Sequence, residues 1–241
     1  MLLADLTWTD VDTGRRTVLV PVGSTEQHGP HLPLGTDTLV ASVVAAAVHD
    51  ADPALVLAPA LPYGAAGEHE GFPGTVSIGE EVLHRVLVEY GRSACRWAAR
   101  LVFVNGHGGN VGALRSAVTL LREEGRDAAW LPCAARVPGV PADAHAGRIE
   151  TSLLLHLAPD RVRADRAAAG DTRPLREVLP GLRARGVAAV SPNGVLGDPA
   201  GASAAEGRTI LDAIAADASA AIAAWELDPR WGKLLPPGAA R

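Results

Sequence analysis

A short apolar run, Thr17–Val22, breaks off into a glycine- and proline-rich loop and is followed by a helical pattern from Thr38 to His49. A chain that repeats this strand–loop–helix unit is committed to a mainly parallel sheet, because parallel neighbours need a crossover that a helix supplies. The unit does recur. Strand-like runs lie at Ala54–Ala58, Leu101–Val104, Ala128–Leu131 and Val187–Val190, and helical patterns at Glu80–Ala99, Val111–Glu124, Ile149–Leu157 and Ala204–Trp225. The expected fold is an α/β three-layer sandwich with helices on both faces of the sheet. The 241 residues suit one domain spanning 1–241. The stretch from Ala164 to Gly186 is the least patterned and reads as a surface loop with a short helix, and the Pro- and Gly-rich tail after Trp231 as a frayed end.

The loops carry the chemistry. Glu26, His28 and Asp37 crowd into the segment after the first strand. Residues two apart in an extended chain share a face, so Glu26 and His28 can aim into one volume if the strand persists that far. A carboxylate–imidazole set of this kind suits zinc, iron or manganese. A polar strand-to-helix loop would account for this segment by itself. A second strand, Leu101–Val104, runs directly into Asn105-Gly-His107-Gly-Gly-Asn110, which places a histidine flanked by glycines where open α/β sheets gather ligands. A third segment, His145-Ala-Gly-Arg148-Ile-Glu150-Thr-Ser152, opens a helical pattern. Glu150 there is also well suited to a first helical turn, where the dipole favours a negative charge. Each segment has a bland explanation, and together they form a constellation that structural roles do not explain.

Four motifs, Gly23-Ser-Thr-Glu26-Gln-His28-Gly-Pro-His31, Gly67-Glu-His69-Glu-Gly-Phe-Pro-Gly-Thr75, Asn105-Gly-His107-Gly-Gly-Asn110 and His145-Ala-Gly-x-x-Glu150-Thr-Ser152, resemble the signatures of the creatininase family in order and spacing. The resemblance runs from about Val18 to the C-terminal helix and implies a metal-dependent amidohydrolase with two divalent ions. It implies Glu26, His28, Asp37, His107 and Glu150 as ligands, with Asp37 between the two ions. A pair of cations about 3.5–4 Å apart acidifies water toward neutrality and polarises a scissile carbonyl. His145 would then orient substrate or protonate the departing amine, or else hydrogen-bond Glu150. His69 would shape a substrate-facing loop, and Arg148 would either meet a peptide carboxylate or face solvent. His31 orients a ligand or braces its loop, whereas His49, His84 and His156 are ordinary helix residues.

Further stretches, Val88-Glu-Tyr-Gly-Arg-Ser93, Ala129-Trp-Leu-Pro-Cys133 and Gly186-Val-Ala-Ala-Val-Ser-Pro192 with Gly194-Val-Leu-Gly-Asp-Pro199, lie outside the metal motifs. They resemble the branch of the family that cuts a small radical-SAM-processed precursor peptide, releasing a modified C-terminal Val-Tyr-derived dipeptide. Creatinine-hydrolysing members carry a carboxylate two positions after the histidine of the third motif, where this chain has Gly109. That departure argues against creatinine and leaves Glu150 as the replacement ligand. The alternatives are a small-molecule amidohydrolase or deformylase of the same family, and a non-catalytic scaffold that binds peptide or metal. The family also implies a homo-oligomer, commonly a hexamer.

Composition excludes several other chemistries. A net charge of −5 with mixed signs offers nucleic acid no basic surface. Lys233 is the only lysine, which rules out a lysine Schiff base and a P-loop. Cys95 and Cys133 are too few for a disulfide framework and read as reduced core thiols in a cytoplasmic protein. No run is apolar enough for a membrane span, and no signal-peptide pattern opens the chain. Ser24 lacks the second glycine of a nucleophile elbow.

Overall fold

A computed structural model describes residues 1–11 and 16–238. Four of the expected apolar runs become strands, β1 (Thr17–Val22), β2 (Val56–Leu57), β3 (Arg100–Asn105) and β4 (Ala128–Pro132). They lie in the order β2-β1-β3-β4 and every pair is parallel. Val20 stands beside Phe103, and Phe103 beside Trp130. Because side chains alternate across a strand, Val18, Val20, Val22, Leu101, Phe103 and Trp130 pack on one face. Leu19, Val102, Val104, Ala129 and Leu131 pack on the other. A parallel sheet covered on both faces is what makes these runs continuously apolar.

The described residues form six α-helices, α1 (Thr36–Ala51), α2 (Glu80–Ala94), α3 (Val111–Glu123), α4 (Arg148–Leu157), α5 (Leu175–Arg185) and α6 (Ala204–Ala224), of which all but α5 cover the sheet. Leu83, Leu87, Leu114 and Leu121 bury α2 and α3 against the Phe103 face. Val44, Leu153, Leu154, Ile210 and Ile214 bury α1, α4 and α6 against the Val102 face. The result is the expected α/β/α sandwich. Ser203 caps α6 by accepting a hydrogen bond from the Glu206 N–H, and Trp225 ends that helix in the left-handed region at φ 51°. No helix among the described residues is long and apolar enough to cross a membrane.

Two expectations are corrected. Val187–Val190 is not a strand; Val187–Ala189 is a 3₁₀ turn. Gly186, at φ 75°, redirects the chain, and Val187 buries against Val178 and Leu182 of α5 instead of pairing in the sheet. Short apolar runs do not by themselves distinguish strand from helix. The stretch before Gly186 is, as expected, a mostly exposed loop with a short helix, the eleven-residue α5, which carries Pro180 inside it. The tail does not fray where it is described. Gly232 accepts from the Trp130 N–H at 3.2 Å, and the Leu234 N–H donates back to the Trp130 carbonyl at 2.8 Å, so the tail covers the open edge of β4. Residues 239–241 lie outside the described part.

The tightest helix crossing is at Gly207 of α6, where a Cβ would collide with the Ser152 carbonyl of α4. Helix propensity alone favours alanine there by about 1 kcal/mol, but overpacking against a backbone typically costs about 1–3 kcal/mol. Gly207→Ala should therefore lower the urea midpoint of unfolding. A raised midpoint would mean that the two helices can part without cost.

Candidate metal centre

From β1 the chain passes to β2 on one side, then returns across β1 to β3 on the other. This switch opens a crevice at the carboxyl ends of β1 and β3, where doubly wound sheets bind ligands. β1 ends at Val22, so Glu26 and His28 are not on a continued strand as alternation alone would require. The loop is pinned instead. The Glu26 N–H donates to Leu34 at 3.0 Å, Val76 donates to the Thr25 carbonyl at 2.9 Å, and Leu32 donates to the His28 carbonyl at 3.3 Å. Asp37 sits in the first turn of α1, whose dipole favours its charge. Gly106 lets the end of β3 approach α1 closely, since a Cβ there would collide with the Asp37 carbonyl; His107 follows directly. Glu150 comes from the first turn of α4, where its Oε2 accepts from the Ala146 N–H at 2.5 Å. Ala146 itself holds a left-handed φ of 52°, a strained conformation of the kind that collects at functional sites.

Glu26, Asp37 and His107 face one another, with His107 Nδ1 at 3.1 Å from Glu26 Oε2 and 3.2 Å from Asp37 Oδ2. On the other side of the same carboxylate, His28 Nε2 lies 3.0 Å from Asp37 Oδ1 and 3.9 Å from Glu150 Oε2. Each of these two triads has its donor atoms close enough for one metal ion, and Asp37 belongs to both through different oxygens. A third such group, Glu26, His28 and His145, overlaps them. The two ligand-type imidazoles are each held by their other nitrogen. His28 Nδ1–H donates to the Glu26 carbonyl at 3.1 Å and His107 Nε2–H to the Ala65 carbonyl at 3.2 Å. Backbone anchors of this kind fix which nitrogen is offered to a metal.

The electrostatics are those of a buried site short of positive charge. Glu26 is fully buried and Asp37 is 2% exposed, yet both Glu26 oxygens and Asp37 Oδ2 lack a hydrogen-bond partner among the described residues. Burial and the neighbouring Asp37 charge raise Glu26 above the usual carboxylate range. Burial also opposes ionisation of Asp37, but His28 and His107 outweigh it and hold Asp37 well below that range. For His28 the burial cost is overcome by Asp37, Glu150 and Glu26, which carry it up to about 10. Burial, partly offset by His28, pushes Glu150 up to about 7. Carboxylate oxygens with no donor in a dry pocket fit a divalent cation, which would satisfy them directly.

The remaining candidates fall in several places. His145 is buried beside the triads, 3.7 Å from Glu26 Oε1. His69 is also buried, with its Nε2 3.3 Å from Glu26 Oε1, so it touches a ligand-type carboxylate besides shaping its loop. His31 Nε2 meets Thr151 Oγ1 at 2.9 Å and braces the loop on α4. Arg148 points elsewhere, forming a two-pronged pair with Glu206 of α6 at 2.8 Å on each prong. His49 meets the N-terminal amine and His84 meets Ser116, away from the centre. Cys95 and Cys133 are free, and burial raises both thiols. Two residues went unnoticed in the sequence. Glu68 Oε1 lies 3.8 Å from His107 Nε2, and Gln27 touches both His69 and His145. Gln27 escaped because alternation assigns it to the face opposite Glu26 and His28.

A Cβ at Gly109 would collide with Ala65, His107 and Glu68, so this loop has no room for a ligand side chain there. The centre opens into a cavity of about 700 Å³, lined by Asp37, His107 and Glu150 and walled opposite by Leu175, Leu182 and Arg183 of α5 and by Arg115 of α3.

The creatininase model, described as creatinine amidohydrolase, matches residues 4–222. The mycofactocin precursor peptide peptidase of Mycolicibacterium smegmatis is 58% identical over 216 residues, covering 88% of this chain and 86% of that protein. A solved structure named creatininase Mn superposes with a TM-score of 0.77 at 28% identity, covering 92% of this chain and 96% of the other. A mutant creatininase of Zn-Zn type superposes at 0.76 and 29% identity, with the same coverage. By the span of the family model and the identity to a relative of nearly equal length, the chain belongs to the creatininase family.

Proposed function

We propose that the chain, acting as one unit over 1–241, is a two-metal hydrolase of amide bonds in a peptide. Glu26, Asp37 and His107 would hold one divalent ion, and His28, Asp37 and Glu150 the other. The observation that carries this reading is Asp37, which turns one oxygen to each triad while three buried carboxylate oxygens lack any protein donor. Bound there, ions of this class supply Lewis acidity and acidify a water toward neutrality. Zinc, iron and manganese all accept such a donor set. The Zn-Zn and Mn forms of creatininase favour zinc or manganese.

His145 is the proton carrier in this reading. Its Nε2 faces the Gln27 carbonyl at 2.7 Å and is therefore the protonated nitrogen, which leaves Nδ1 as a lone pair facing the site. Burial and the charge of His28 hold the ring well below its ordinary pKa, so it starts neutral. Nδ1 accepts a proton from the attacking water and returns it to the amine nitrogen as the C–N bond breaks, giving a carboxylic acid and an amine. A peptide substrate is supported by the 58% identical relative, a mycofactocin precursor peptide peptidase, and by the cavity of about 700 Å³ beside the centre. We take the substrate to be that precursor, cut to release its modified C-terminal dipeptide. The closed loop at Gly109 sets this site apart from one that would draw a ligand from that position.

Incubation of metal-loaded protein with the modified precursor, followed by mass spectrometry, should show release of the C-terminal fragment. Intact peptide in the presence of two bound ions would remove this substrate. His145→Ala should lower kcat by about 10²–10⁴-fold, the usual contribution of a positioned acid or base. Glu150→Gln should reduce the metal content from two ions per chain to one; retention of both ions at full rate would exclude Glu150 as a ligand.

Loading should also depend on pH. His28, at about 10, and His107, raised well above the ordinary value, both carry a proton at neutral pH in the metal-free protein. A metal must displace one ring proton from each imidazole, so binding tightens as pH rises and releases about two protons per chain from the imidazoles near pH 7, with a further part from Glu150, itself at about 7. Calorimetry in buffers of different ionisation enthalpy measures that number, and a value near zero would mean that the imidazoles are not ligands.

A further inference from the structure

Gln27 lies between two proposed ligands but points away from them, into a pocket between His69, His145 and Gly194. Its amide orientation is fixed by two partners of unambiguous sense. Oε1 accepts from the Gly29 N–H at 2.8 Å, and Nε2 donates to the Gly194 carbonyl at 3.0 Å. The pocket is built to this side chain, since Gly194 sits at φ 80° and a Cβ there would collide with the Gln27 amide. Gln27 itself is 5% exposed.

Its second N–H is then committed. Gln27 Nε2 is 2.8 Å from His69 Nδ1, and an amide nitrogen can only donate, so Nδ1 of His69 must be the acceptor. A neutral His69 therefore carries its proton on Nε2, the atom 3.3 Å from Glu26 Oε1. That oxygen has no better donor among the described residues. The contact of Gln27 Nε2 with His145 Nε2 at 3.1 Å brings two donors together and is not a hydrogen bond, because His145 Nε2–H is directed to the Gln27 carbonyl. Side chain and main chain of one residue thus set the tautomers of two histidines.

We propose that Gln27 is a positioning residue. Its side-chain amide locks His69 as the Nε2–H tautomer so that His69 steadies Glu26 for a metal, and its carbonyl leaves Nδ1 of His145 free to carry the proton. The functional half of this inference rests on the two-metal reading above, whereas the tautomer half does not. In a metal centre, residues that orient ligands in this way typically contribute about 10–100-fold in metal affinity or activity.

The test uses intact protein labelled with ¹⁵N in the histidine rings. In the metal-free wild type, His69 should show a protonated Nε2 and an unprotonated Nδ1, with His145 in the same tautomer. A protonated Nδ1 on His69 overturns the proposal with no variant needed. Gln27→Glu replaces the donor with an acceptor and should move the His69 proton to Nδ1, leaving His145 unchanged because its partner is main chain. Gln27→Met keeps the bulk without the donor and should weaken metal binding about 10–100-fold in a chelator competition. If Gln27→Met binds metal as tightly as wild type, Gln27 only fills space. Absence of peptide hydrolysis in an otherwise unchanged protein would sink the proposed substrate and leave the tautomer result standing.

Discussion

The constraint on which the rest depends is the burial of Glu26 and Asp37 with too few positive partners. Moving an ionised carboxylate out of water costs several kcal/mol even after relaxation, unless a countercharge of good geometry replaces the lost solvent. Here His28 and His107 supply part of that charge, and burial leaves Glu26 with two oxygens that accept no hydrogen bond among the described residues. Such an arrangement survives only on a rigid frame. The apolar faces of β1 and β3, each packed under helices, supply the rigidity, and the crevice at their carboxyl ends supplies the space. The strain of the left-handed Ala146, held between His145 and Glu150, belongs to the same account.

The layer order and most strand positions were legible because a doubly covered parallel sheet demands continuous apolar runs, which Leu101–Val104 and Ala128–Leu131 display plainly. Val187–Val190 displays the same pattern and is a turn. Its partners are Val178 and Leu182 of α5 and Leu196, all within ten residues of Val187 in the chain, so the run folds back on its own neighbours instead of reaching the sheet. The tail at Gly232–Leu234 was misread for the complementary reason. Glycine and proline announce a break in regular structure, but an isolated bridge to Trp130 needs only a few hydrogen bonds. In the site, the ligand-type residues stood out by chemical type. Gln27 did not, because a neutral amide becomes informative only when its partners are known, and those partners are 42 to 167 residues away in the chain.

The Gly109 loop lies so close to His107 and Ala65 that a side chain there would displace them. Glu150, on a different element, reaches the His28 side of Asp37 instead. The β3 loop is thus bare backbone beside the cavity, where the wall from α5 brings leucines and Arg183. Arg148, two residues before Glu150 in the same helix, is held on Glu206, so the helix that presents Glu150 is tied to α6 at its first turn.

The bridge between Trp130 and residues 232–234 also has a consequence for biosynthesis. The strand it covers is made about a hundred residues before its cover, as the 101-residue separation of the Trp130–Trp231 hydrogen bond records. On the ribosome, β4 therefore waits with an open edge while α4, α5 and α6 are still being synthesised. An open edge on a parallel sheet invites pairing with other nascent chains. The late arrival of residues 231–234 closes that edge.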